Sequence, residues 1–239
     1  MDFNRINENH DARVSRGCIP KAAFWNIYKS SHTALYEISV ANFSAEVVQT
    51  IARSHILTTV TAIEVFYRDS FVSILKYAKP SEFIPKLKHI HKQKYDVGEI
   101  YNLYIEEISP LKLVVDSINF QNSSSINRVF SDLLGENFFN IALRNFMSKE
   151  VNGEKIDIQV ENGDLEILDW FFKERHKLTH NPKFDQGYDV EELLTKLESL
   201  QKIILASDLA MLLFINKYPA IDVDNPDPKV IERISKEWS

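Results

Sequence analysis

The chain has 239 residues with 44 % hydrophobic content, enough for one large or two small domains with a proper core, which excludes wholesale disorder. Its formal net charge of −6 excludes an indiscriminate nucleic-acid coat, since such binding rests on surplus Lys and Arg neutralising phosphates. The single cysteine, Cys18, excludes an internal disulfide and a cysteine-rich zinc site; with no signal-like opening segment, the expected compartment is the cytoplasm.

Six glycines, and long runs rich in Leu, Ile, Lys and Glu, predict an all-α fold in three parts. Residues 1–42 form an N-terminal arm with short helices. Residues 1–19 are polar and read as a loose arm broken at Gly17-Cys18-Ile19-Pro20; Lys21 to Val40 carries Phe24, Trp25, Ile27, Tyr28, Leu35, Tyr36 and Ile38 on one or two short helices.

Residues 43–218 form the helical bundle domain. Ser44 has the look of an N-cap, and the helix it opens runs without Gly or Pro to Lys79, the longest in the chain. Pro80 and Pro85 bracket a turn, followed by a lysine-rich helix to about Tyr95 and another from Val97 to Ile108. Leu111 to Phe120 is apolar and ambiguous, and Gln121 to Ser125 is turn-forming; helices then span Ile126 to Leu134 and Asn137 to Ser148. Alternation over Lys155 to Val160, framed by Val151-Asn152-Gly153 and Glu161-Asn162-Gly163, predicts a short strand or β-hairpin. Asp164 caps a helix that Asn181-Pro182 ends, and Val190 to Lys217 is its bundle partner. The longest apolar run, Ile203 to Ile215, includes Ser207 and Asp208 and is too short and too polar to span a bilayer, so no membrane partner is expected. Residues 219–239 are a tail ending in a short amphipathic turn, Val230 to Trp238.

The chemistry concentrates in Glu174-Arg175-His176-Lys177-Leu178-Thr179-His180. Leu165, Leu168, Phe171, Phe172 and Leu178 define an apolar stripe, and at about 100° per residue Arg175 falls near its middle. A guanidinium facing protein needs a carboxylate, an anion or a partner chain. Glu64 or Asp69 on the long helix can supply the carboxylate; the plainer alternative is a surface pair of Glu64 with Arg68 one turn away.

His176 and His180 have the i, i+4 spacing of two metal ligands, but Lys177 stands where a zincin helix needs glutamate, and only Asp185 or Asp189 lies at hand to complete a site. Neither a metal nor a cofactor is expected. No Gly-rich phosphate loop, nucleophile elbow or CxxC pair is present. Lys86, Lys88, Lys92 and Lys94, with His89 and His91, are the densest basic cluster and could guide RNA; a solvated helix face is the alternative. An arginine followed five positions later by a histidine suits metal-free RNA cleavage, in which a base takes the ribose 2′-hydroxyl proton and a cation stabilises charge on the phosphate. Histidine titrates near ~6.5 and arginine offers a two-pronged fork to phosphate oxygens.

Arg175-His176-Lys177-Leu178-Thr179-His180 resembles the Arg-x4-His motif of the HEPN superfamily, with a histidine in the polar position after the arginine. Thr61-Ala62-Ile63-Glu64-Val65-Phe66-Tyr67-Arg68-Asp69 is similar to that family's first bundle helix, where an acidic residue faces the motif. The two stretches are a small part of the chain, and Gln121 to Val160 has no counterpart among them. The resemblance implies a HEPN-like helical bundle that homodimerises with two motif helices facing across a cleft. It implies His180 as general base or acid, Arg175 as phosphate clamp, His176 as an auxiliary contact, and products with 2′,3′-cyclic phosphate and 5′-hydroxyl ends. It further implies a toxin or antiviral, abortive-infection effector restrained by an antitoxin or sensor protein. A non-catalytic RNA-binding or dimerisation module, with Arg175 as a structural ion-pair partner, is the alternative it leaves open.

Overall fold

The computed structural model describes residues 3–15, 20–90, 94–106, 108–144, 146–151, 154–180, 187–221, 228–229 and 232. Its elements are α1 (Phe3–Ser15), α2 (Pro20–Val40), α3 (Ala45–Tyr77), α4 (Pro80–Ile90), α5 (Val97–Ile105), α6 (Pro110–Ser117), α7 (Ser123–Leu134), α8 (Phe138–Arg144), β1 (Phe146–Val151), β2 (Glu154–Gln159), α9 (Asn162–His180) and α10 (Val190–Lys217). The fold is all-α with one antiparallel hairpin inserted between α8 and α9, its register running from Phe146 opposite Gln159 to Val151 opposite Glu154. No described helix is long and apolar enough to cross a membrane.

α3 is the axis of the bundle. Ser44 Oγ accepts from the Val47 amide, and the 33 residues that follow make a rod about 50 Å long. Val60, Ile63, Phe66, Tyr67, Phe71 and Ile74 are fully buried along it. Tyr67 shares a hydrogen bond of 3.0 Å with Ser207 of α10, and Gln49 meets Tyr188 just ahead of α10, so α3 and α10 run parallel. α2 runs against both: Phe24 packs edge-on against Phe66 at 6.2 Å, Tyr28 donates to Gln201 Oε1 and Lys21 pairs with Asp208 at 3.2 Å. α9 runs against α10, with Lys202 at 3.7 Å from Asp164 at one end and Tyr188 bound to Glu174 at the other. Phe120, Phe130 and Phe138 close the core beneath Tyr67 and Phe71, with the Phe130 and Phe138 rings 4.9 Å apart.

Several expectations change. Residues 3–15 form a helix rather than a loose arm, because Ile6, His10 and Arg13 make one buried face whose middle and last members are polar and escape a hydropathy reading. Lys21 to Val40 belongs to one 21-residue helix, and Phe24, Leu35 and Ile38 sit in the bundle's own core. The turn between Pro80 and Pro85 is instead the start of α4, which tolerates Pro80 at its first position and holds Pro85 inside. Asn122 caps α7 inside the expected turn, its Oδ1 accepting from Ser125 N at 2.7 Å. Ser109 caps α6, with Pro110 at the first turn, within the ambiguous apolar stretch. The helix expected through Ser148 stops at Arg144, since Phe146 to Ser148 belong to β1. The breaks at Gly17 to Ile19 and Asn181-Pro182, and the amphipathic turn from Val230, fall wholly or mostly outside the described residues. The tail is anchored where it leaves α10: Ala220 N donates to Tyr77 O at 2.7 Å and Lys79 N to Tyr218 O at 2.8 Å.

Candidate functional site

α9 begins one turn earlier than a cap at Asp164 implies. Asp164 is the third helical residue, and its carboxylate reaches back to the Glu161 amide at 2.9 Å, closing the first turn from inside. From there Leu168, Phe171 and Phe172 bury against α3 and α10 and hold the last two turns in place.

Arg175 Nη1 donates to Glu64 Oε1, joining α9 to the middle of α3. The pair is half-buried, with side-chain exposures of 29 % for Arg175 and 20 % for Glu64. Of the two acids proposed to hold Arg175, Glu64 is therefore the one; Asp69 is buried about 140° further around α3 and does not reach it. Arg68 donates from Nη2 to the Ile118 carbonyl at 3.4 Å, while its charge acts on Glu64 through space. Burial pushes the Glu64 carboxyl above its usual range, and the charges of Arg175 and Arg68 pull it back only in part. On the far side of Glu64, a cleft of about 140 Å³ is lined by Asn9, Ala12 and Arg13 of α1 and Thr61, Glu64, Val65 and Arg68 of α3.

His176 and His180 lie on the exposed side of the same helical turns, with ring centroids 4.5 Å apart and planes tilted by 47°. Around a helix, Arg175 and His180 are about 140° apart. The chain thus presents both imidazoles to solvent while the Arg175 guanidinium is bound to Glu64 on the other side of the helix. Among the described residues no group of three or more His, Cys, Asp or Glu could hold a metal. Asp189 is occupied as the cap of α10, accepting from Glu192 N at 2.9 Å, and Asp185 lies outside the described residues.

The lysine cluster is not brought to this site. Lys86 Nζ donates to the Leu133 carbonyl at 2.6 Å and sits 5.5 Å from the centre of the Phe214 ring, where it ties α4 to α7 and α10. Phe214 is far along α10 from Val190, about 36 Å at the rise of a helix, whereas the motif lies at the Val190 end. Lys88 and Lys94 are exposed, and Lys92 lies outside the described residues.

Sequence reasoning missed the clip that positions the motif. Glu174 is almost fully buried; its Oε1 accepts from Lys177 Nζ at 2.6 Å and its Oε2 from Tyr188 Oη at 2.9 Å. Tyr188 in turn exchanges two hydrogen bonds with Gln49 of α3, from its own amide at 2.6 Å and to its carbonyl at 2.9 Å. Burial, the bond to Glu174 and that carboxylate's charge all push the Tyr188 hydroxyl upward, keeping it a donor. The available signal was Glu174 itself, a carboxylate three residues after Phe171 on the side of the stripe that the approach to α10 covers.

No family model, no curated protein and no solved structure matches this chain.

Proposed function

We propose that the chain is a metal-independent endoribonuclease of HEPN type. In this reading the His180 imidazole is the general base or acid: the ribose 2′-hydroxyl gives up its proton and attacks the adjacent phosphorus, and the expelled 5′-oxygen takes up a proton, leaving 2′,3′-cyclic phosphate and 5′-hydroxyl ends. Arg175 braces the phosphate with the N–H groups that Glu64 does not use, and His176 supplies a second contact. The observation that carries the reading is a carboxylate-held arginine on α9 followed, on the same two turns, by two adjacent, solvent-facing imidazoles. Because arginine and imidazoles point apart in one protomer, the reading requires a homodimer in which the partner's motif helix completes each site. A toxin or antiviral effector held by an antitoxin or sensor is the role this chemistry would serve.

The competing reading is a non-catalytic RNA-binding or dimerisation module, favoured by one specific fact: Glu64 already holds Arg175 as an ion-pair partner. Incubation of single-stranded RNA with purified protein in EDTA separates the two. Cleavage by the wild type, lost in His180→Ala at unchanged Tm, is expected for the ribonuclease; RNA left intact by a folded wild-type dimer selects the module.

A further inference from the structure

α5 is a well-made helix that the fold hardly uses. A capping box closes its start, with Asp96 Oδ1 accepting from Glu99 N at 2.8 Å and Glu99 Oε2 from Asp96 N at 3.0 Å. Only Leu103 is buried, against Ile6 of α1, Leu113 of α6 and Ile108. Yet Val97, Ile100, Tyr101, Tyr104 and Ile105 recur at i, i+3, i+4, i+7 and i+8, the spacing of a core-facing stripe. Their exposures are 83, 55, 62, 79 and 56 %. Single exposed apolar residues are ordinary, but this continuous stripe offers about 600 Å², the upper end of what lone monomers show.

We infer that the stripe is a self-association surface, α5 of one copy packing on α5 of a second about a two-fold axis. Two such stripes face to face bury about 1,200 Å², the lower bound of stable interfaces. In a two-fold contact a charge near the axis meets its own copy, and none of the five positions is charged. Two tyrosines among the five supply the amphipathic bulk typical of interface cores. The helix's remaining charges, Asp96, Glu99 and Glu106, oppose an anionic lipid surface rather than favour it. The surface is carried by a different helix from the His176–His180 face, and the inference stands without the ribonuclease reading.

Sedimentation equilibrium of the full chain, as wild type and as Tyr101→Glu/Tyr104→Glu, tests it. Both side chains already face solvent, so the variant keeps its circular dichroism and Tm. The expected result is a wild-type association step that the variant weakens, with its Kd raised at least about tenfold; where the motif helices also pair, the wild type runs beyond a dimer and the variant stops at one. A wild type that stays monomeric, self-association that the variant leaves intact, or a monomer that binds neutral vesicles through this stripe overturns the inference. RNA left uncut by an intact α5 dimer counts against the ribonuclease alone, and self-association unaffected by the α5 variant counts against this surface alone.

Discussion

Arg175 shows how a single position binds two helices together through a half-buried ion pair. Its guanidinium offsets a Glu64 carboxylate whose burial already pushes its pKa upward, so removing the arginine strands an acid that is poorly solvated. Because both side chains keep some solvent, the loss is smaller than for a sealed pair: Arg175→Ala is expected to cost about 1–3 kcal/mol by urea denaturation, and Arg175→Ala/Glu64→Gln to recover part of it. An additive double mutant would show that the two groups do not interact. Tyr188→Phe removes the hydroxyl bond to buried Glu174 and is expected to cost about 1–2 kcal/mol while sparing the fold; a change within error would remove the clip from the account. Arg175 and its acid were legible in the sequence because a cation on an apolar stripe demands a partner, and Glu64 was among the nearest that could answer. Tyr188 was not legible: it lies just ahead of α10 and recruits Gln49 from 139 residues away, a pairing that no local period encodes.

Among the elements, α3, α9 and α10 were legible because each has a long apolar period and clear stop signals, and Val190 to Lys217 matches its expected bounds. α1 was hidden because its buried face is largely polar, and α7 because Asn122-Ser123-Ser124-Ser125, which reads as a turn, serves instead as a cap and first turn. The contact between α2 and α3 makes a pH prediction. Burial, with His32 nearby, lowers the His55 pKa to about 4, and its ring nitrogen lies 3.3 Å from the Thr59 hydroxyl. The fold keeps this imidazole neutral while the unfolded chain binds its proton from ~6.5 downward, so stability is unaffected above that pH, falls as pH drops, and has lost about 3 kcal/mol by pH 4 and below. His10 of α1, lowered to about 4 by burial and by Lys112 and Arg13, adds a loss of the same sign. Thermal melts between pH 8 and 4 on wild type and His55→Leu should show the wild-type Tm falling more steeply; parallel curves would contradict the assignment.

At the scale of the whole molecule, the bundle sets the motif at the Val190 end of α10 and Lys86 of α4 near Phe214 toward the other, so electrostatic guidance by Lys86 toward His180 does not follow from this architecture. The helical class was legible from composition and period, whereas the relative placement of basic cluster and histidines depends on how α4 folds back against α7, which a linear reading does not contain. What one protomer keeps apart, Arg175 inward and His180 outward, a second copy can bring together, and this makes assembly part of the proposed chemistry rather than an accessory to it. The most direct measurement is product analysis by mass spectrometry after incubating the wild type in EDTA with an RNA strand and with its fully 2′-O-methylated counterpart. The account predicts fragments ending in 2′,3′-cyclic phosphate from the RNA alone, abolished by His180→Ala; uncut RNA, cleavage of the methylated strand, or undiminished cutting by that variant would contradict it.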